Sequence, residues 1–294
     1  MPELPEVETV RRGLEPWLVG ARITHVVLNR ADLRFPFPAG LSKAITGQRI
    51  LSVGRRAKYL LMGLENGTSI LCHLGMTGSW RFAEHGIDKA PRYYEPGTEP
   101  KHDHLIWHLD HAKHGTSHLI YADPRRFGFL DLVGADGQSP YLNGLGPEPL
   151  GNDFNAATLA LRLAGKRGPI KAALLDQSVV AGLGNIYVAE ALFRARIAPT
   201  TQAGSLVAAD GKPSAALEQL VSAVRKVLEE AIVSGGSTLQ DFRNAEGGTG
   251  YFQHNFAVYD REGEPCLREG CTGVVSRIVQ SGRSSFFCPV CQTI

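Results

Sequence analysis

The chain opens MPELPEVETV, with a proline at position 2 and carboxylates at Glu3, Glu6 and Glu8. With Met1 removed, Pro2 presents a secondary amine beside groups able to move protons, the pairing that nucleophilic catalysis requires. The same residues also read as the capped start of a surface helix. A second concentration of chemistry lies in the last 29 residues, where Cys266, Cys271, Cys288 and Cys291 follow the pattern C-x4-C-x16-C-x2-C. Two such knuckles suit one tetrahedral Zn²⁺ held by four thiolates, which leaves no open coordination position and makes the metal structural. The disulfide alternative needs an oxidising compartment, for which the sequence offers no support. So small a module has little core and needs the metal to fold. Between the knuckles, VVSRIVQSGRSSFFC predicts a β-hairpin turning near Ser281–Gly282, with Arg283 near its tip. An arginine there suits a phosphate or is simply a solvated turn residue. The fifth cysteine, Cys72 in SILCHL, reads as a buried strand residue.

Three weaker constellations remain open between chemistry and architecture. AGLGNIY sets Gly182, Gly184 and Asn185 before a helix, either an anion-binding helix start or an ordinary interhelical turn. YADPRRFGFL places Arg125, Arg126 and Phe127 after the turn signal Asp123-Pro124, and LGMTGSW carries Met76 on a glycine-flanked turn. A DNA reader uses Arg on a base edge and an apolar wedge between stacked bases. A plain hairpin also uses a core Phe and a filler Met.

The elements that must position these residues divide along the chain. At 294 residues, more than one domain is expected. After a short first helix, residues 22–133 hold runs rich in β-branched and aromatic residues (RITHVVL, QRILSV, KYLLMGL, TSILCHL, HLIWHL, SHLIYA, FGFLDLV), which predict a β-sandwich or barrel. AEHGIDKAPRYYEPGTEPKHDH, polar and without periodicity, reads as a long mobile surface loop. From about residue 151 the pattern is helical: NDFNAATLALRLAG with Asn152 or Asp153 as N-cap, GPIKAALLDQ with Pro169 at its first position, NIYVAEALFRARI, and SAALEQLVSAVRKVLEEAIV stopped by glycines. Net charge is only +2, but residues 158–200 carry six basic side chains against two acidic ones. That excess favours a polyanion only weakly. No apolar run is long enough to span a bilayer, and the acidic start is unlike a signal peptide, so a cytoplasmic location is the expectation.

Taken together and in order, MPELPEVETVRRGLEP, RRAKYLL, HLGMTGSWR, KHDH, DPRRFG, LGPEPL, GLGNIY, GGTGYF and the four-cysteine finger resemble the bacterial formamidopyrimidine-DNA glycosylases over nearly the whole chain. The related endonuclease VIII group shares the architecture, and Leu4 in PELPE favours the formamidopyrimidine branch. A DNA-binding paralogue without activity need not retain Pro2, Glu3 and Lys58, all present here. Two departures stand out. The first knuckle has four residues between its cysteines where the family usually has two, and the segment between Trp80 and Lys101 is longer than usual.

The resemblance implies an α+β, multidomain chain: a catalytic β-sandwich domain at 1–135 with an N-terminal helix, a helix–two-turn–helix domain at 150–235, and a zinc-finger hairpin at 260–294. It implies removal of 8-oxoguanine and ring-opened purines from double-stranded DNA, followed by strand cleavage at the abasic site. The partner is duplex DNA with oxidised bases or abasic sites, the only cofactor one structural Zn²⁺ on Cys266, Cys271, Cys288 and Cys291, and the state a bacterial monomer away from membranes. Carried over by motif, Pro2 is the nucleophile and Glu3 the proton-transfer residue. Lys58 matches the lysine of β-elimination, and Arg283 the fingertip arginine that grips phosphate and serves δ-elimination. Asn185, His102, Arg167 and His73 match DNA-contacting positions. Met76, Arg125 and Phe127 match the trio that fills the hole left by the extruded nucleotide, Arg125 reading the cytosine opposite. Tyr251 lies in the glycine-rich region near the base pocket. The role of Glu6 stays open.

Overall fold

The computed structural model describes residues 2–84, 99–238 and 248–294, which fall into two compact units. The first holds the chain up to Asn143 together with Ser234–Tyr251. It begins with α1 (Leu4–Leu18), whose Val7, Val10, Leu14 and Leu18 recur at helical spacing and are all buried. There follow β1 (Arg22–Leu28), α2 (Leu41–Ile45), β2 (Ile50–Arg56), β3 (Tyr59–Leu64), β4 (Ser69–His73), β5 (Ser79–Glu84), β6 (Asp103–His111), β7 (Gly115–Ala122) and β8 (Phe129–Val133). The strands form two four-stranded sheets, ordered β1-β6-β7-β5 and β2-β3-β4-β8, antiparallel throughout. Alternation sets the faces: along β3 every second residue, Leu60, Met62 and Leu64, points into the core. These side chains meet Trp80, Trp107 and Tyr121 of the other sheet and the apolar stripe of α1, so the unit is a β-sandwich with a helix on its core.

The second unit runs Gly144–Val233 and Phe252–Ile294. It contains α3 (Ala156–Leu163), α4 (Ile170–Leu175), α5 (Asn185–Arg194), α6 (Ala215–Val233), and the hairpin β9 (Ser276–Gln280) and β10 (Arg283–Phe287). Ser281 and Gly282 both have positive φ, 49° and 74°, and join paired residues Gln280 and Arg283. Two consecutive left-handed residues make the hairpin turn whose twist matches the strands, which explains the glycine. A core of Ala189 and Phe193 from α5 with Val258, Val275, Phe286 and Cys288 joins the hairpin to the helices.

Several local expectations shift. The N-cap of α3 is Asn155, whose side chain accepts from Thr158 N at 2.9 Å, rather than Asn152 or Asp153. Pro169 is the cap of α4 and not its first helical residue. The polar segment from Ala83 is not all loop. Ala83 and Glu84 end β5, which pairs along β7, and Pro100–His102 form a 3₁₀ turn leading into β6. β5 is anchored by Arg81, which makes a two-pronged ion pair with Asp103 at 2.6 and 2.7 Å. Residues 85–98, the rest of the long loop, lie outside the described residues, as do the first three residues of AEGGTGYF, 245–247.

Candidate functional site

In the first unit the candidate chemistry gathers at the start of α1. Pro2 and Glu3 are buried, Glu3 being only 3% exposed. Glu3 is the N-cap, and Glu6 closes a capping box by accepting from Glu3 N at 2.8 Å. The other oxygen of Glu6 accepts from Ser237 N at 2.8 Å, and Ser237 bridges to Tyr251. Glu6 is therefore no surface acid. It is buried and ties the helix start to the segment that carries Tyr251.

One turn on, Glu8 accepts from Arg11, Arg12 and Arg55. Burial pushes its carboxyl up, but these three guanidinium groups together hold it below the usual carboxylate range. Arg55 also donates to Ala57 O at 2.9 Å. Ala57, with φ 52°, forms the tight β2–β3 turn with Lys58. A chain of contacts thus runs from the first turns of α1 to Lys58, which is buried at 7% exposure. Next to it, His73 is driven down to about 4 by burial, then by the charges of Lys58 and Arg34. Its Nδ1 accepts from Gly75 N, so near neutral pH the proton sits on Nε2. His73 is a neutral donor, not a cation.

Met76, Arg125 and Phe127 are brought together by two loops held at Asp123. Asp123 is fully buried, and its oxygens accept from Thr77 Oγ1 at 2.5 Å and Gly128 N at 2.8 Å. Arg125 N donates to Thr77 Oγ1, and Asp123 N donates to the carbonyl of His102. The loops touch backbone to backbone at Gly75, where a Cβ would lie 2.3 Å from Phe127 C; a Cβ on Gly128 would lie 2.0 Å from the Tyr121 hydroxyl of β7. Phe127 is left 47% exposed, with the Arg125 guanidinium 4.8 Å over its ring. An exposed aromatic held on a rigid turn is suited to a base stack.

In the second unit Arg283 is exposed at the start of β10, and Arg167 is exposed between α3 and α4. Asn185 opens α5 after the Gly182–Gly184 turn, and one hydrogen of its side-chain amide is donated to Ser284 O at 3.0 Å. Lys171 also donates to Ser284 O, at 2.7 Å, and to Ser285 Oγ, at 2.6 Å. Both therefore fix the residue next to Arg283. The sequence showed Lys171 only as one of several basic residues, yet it is 1% exposed. The four cysteine sulfurs lie within 4.8 Å of one another, with Cys266 to Cys291 at 3.8 Å and Cys271 to Cys288 at 3.7 Å. Sulfur atoms so close, with no pair bonded, fit four thiolates around one zinc ion. The longer first knuckle does not disturb the set.

The sequence motifs that resisted assignment were those whose partners are distant in the chain. Asp123 read as a turn residue, Glu6 stayed open between a helix acid and a partner of Glu3 or the amine, and Glu190 read as part of an amphipathic helix. Glu190 is fully buried and accepts from the three successive amides of Ala257, Val258 and Tyr259.

Sandwich, helices and four-thiolate finger together define an α+β zinc-finger protein with a buried Pro-Glu pair at a helix start. Family models match nearly the whole chain: the formamidopyrimidine-DNA glycosylase N-terminal domain over residues 1–130, the H2TH domain of the same enzymes over 145–243, and the zinc finger found in FPG and IleRS over 263–294. The formamidopyrimidine-DNA glycosylases of Chelativorans sp. and Rhizobium meliloti are 56% and 53% identical, across 99% of this chain and 100% of theirs. Lactococcus lactis Fpg, solved as a mutant in complex with Fapy-dG-containing DNA and also in complex with abasic-site DNA, superposes with a TM-score of 0.83 at 36% identity, each chain fully covered. The chain belongs to the formamidopyrimidine-DNA glycosylase family.

Proposed function

We propose that this chain is a bifunctional base-excision repair enzyme. It excises oxidised purines, 8-oxoguanine and formamidopyrimidines, and cleaves the strand at the resulting abasic site. The observation that carries this reading is the buried Pro2–Glu3 pair at the capped start of α1. Once Met1 is removed, the neutral Pro2 amine attacks C1′ of the damaged nucleotide, and the base departs with the bonding electrons. The attached nitrogen gives up its proton to the departing base, Glu3 protonates the sugar ring oxygen as the C1′–O bond breaks, and the iminium ion so formed is an electron sink; Glu3 then relays protons during elimination. Lys58 donates the proton of β-elimination, and Arg283 holds the phosphate that leaves in δ-elimination.

The DNA contacts follow from the same reading. Met76, Arg125 and Phe127 fill the gap left by the extruded nucleotide, whose unstacking costs a few kcal/mol. Arg125 reads the opposite cytosine. His73, His102, Arg167 and Asn185 contact the backbone, and Tyr251 lies by the extruded base. The working segments are 1–135, 150–235 and 260–294, acting as one polypeptide on duplex DNA in the bacterial cytoplasm. No helix among the described residues is long and apolar enough to cross a membrane.

The test is borohydride trapping on a duplex with 8-oxoguanine opposite cytosine, using protein whose N-terminal mass verifies Pro2 as its first residue. A covalent protein–DNA adduct is expected, and none from protein that keeps Met1, where the Pro2 nitrogen is an amide. Absence of an adduct with the verified protein refutes the lyase mechanism. Faster excision of thymine glycol than of 8-oxoguanine refutes the purine assignment.

A further inference from the structure

The two residues by which the first cysteine knuckle exceeds its usual spacing have an electrostatic consequence. Four thiolates around Zn²⁺ carry a net charge of −2, which a small, partly buried module must offset. Inside the knuckle, CLREGC, stands Arg268. Its backbone N–H donates to Cys266 Sγ at 3.5 Å. Its guanidinium donates to the carbonyl of Phe193 in α5 at 2.5 Å and lies 4.7 Å over the Phe193 ring. Two contacts to one residue fix the group's position. Arg268, Cys271 and Cys291 line one open recess of about 480 Å³. The Arg268 Nε is buried without a hydrogen-bond partner among the described residues, a costly arrangement for a cation unless a nearby negative charge compensates it.

We propose that Arg268, delivered by the lengthened knuckle and braced on Phe193, is the counter-charge of the zinc–thiolate centre and sets its metal affinity. The inference rests on the four cysteines holding zinc and is independent of the glycosylase reading. The neighbouring Glu269 is exposed and shares the loop, so it serves as the matched control.

The experiment uses the full-length protein, with zinc content determined first; wild-type protein without zinc refutes the metal centre itself. With zinc present, its affinity is measured by competition against a chromophoric chelator. Arg268→Gln is expected to weaken it roughly tenfold to a hundredfold, as loss of a partner to metal ligands commonly does. Glu269→Gln is expected to leave it unchanged or tighter. In fully cobalt-loaded protein, Arg268→Gln should also shift the thiolate-to-metal charge-transfer band, because that energy follows the field at sulfur. Wild-type affinity in Arg268→Gln overturns the proposal, and so does weaker affinity with an unmoved band, which reduces Arg268 to packing. Should Arg268→Gln fail to fold, Arg268→Lys decides: its affinity and band should stay near wild type, and a marked loss despite the retained charge overturns the proposal.

Discussion

At the scale of single residues, His73 is a group whose charge the fold controls. It is enclosed by Tyr59 and Phe129 rings, at 5.3 and 5.5 Å, and faces the cations Lys58 and Arg34. Its folded value of about 4 lies below the ordinary 6.5. Between those values the unfolded chain binds the extra proton, so stability rises with pH there. The contribution is complete above pH 6.5 and is lost as pH falls toward 4, amounting to about 3 kcal/mol at most. Denaturant unfolding followed from pH 7 to pH 4 should show this loss, and His73→Gln should flatten the slope. An unchanged slope removes His73 from the account. The same neutrality fixes how His73 serves DNA in the proposed reading: it offers an Nε2–H hydrogen bond, with a lower salt dependence than a cationic contact would have.

At the scale of elements, the link from α1 to the Ser234–Tyr251 segment depends on Glu6. Both its oxygens are engaged by backbone amides, Glu3 N and Ser237 N. Glu6→Gln keeps the shape but turns one acceptor into a donor facing an N–H. A cost of about 1–3 kcal/mol in thermal unfolding is expected, together with slower borohydride trapping, since Glu3 loses its cap partner. Trapping at the wild-type rate limits Glu6 to stability. Strands were legible because their alternation is local: RITHVVL is β1 to the residue, and Ser281–Gly282 turns the finger hairpin as its sequence predicts. Strand β5 was not, because SWRFAE owes its place to pairing with β7 and to the Arg81–Asp103 ion pair rather than to its own pattern. Asp123, Glu6, Lys171 and Glu190 were illegible for a related reason. Each is a buried polar group whose partners are backbone atoms or side chains that adjacent residues do not announce. The cysteine set was legible because four thiolates at short spacing admit few other uses.

At the scale of the whole molecule, the zinc finger is joined to the helices of its own unit by Lys171, Asn185 and the core around Phe193 and Phe286. All three tryptophans, Trp17, Trp80 and Trp107, lie in the other unit. Stripping zinc with a chelator is therefore expected to abolish lesion-duplex binding while leaving tryptophan emission at its native wavelength. A red shift in step with metal loss contradicts that separation and makes the finger a condition for the sandwich to fold. The modest +2 net charge is compatible with a polyanionic partner because the basic side chains cluster, six against two over residues 158–200.

The backbone contact between the Met76 and Phe127 loops has a consequence for how the protein can vary. Gly75 and Gly128 contribute no side chain, yet any Cβ there meets atoms 2.3 and 2.0 Å away. A saturation library scored on lesion excision should therefore show its sharpest intolerance at these two silent positions. In the proposed reading, exposed Phe127 and half-buried Met76 beside them should accept some exchange among large apolar side chains. On that reading, evolution can retune what is inserted into the helix, but hardly the spacing between the inserted groups.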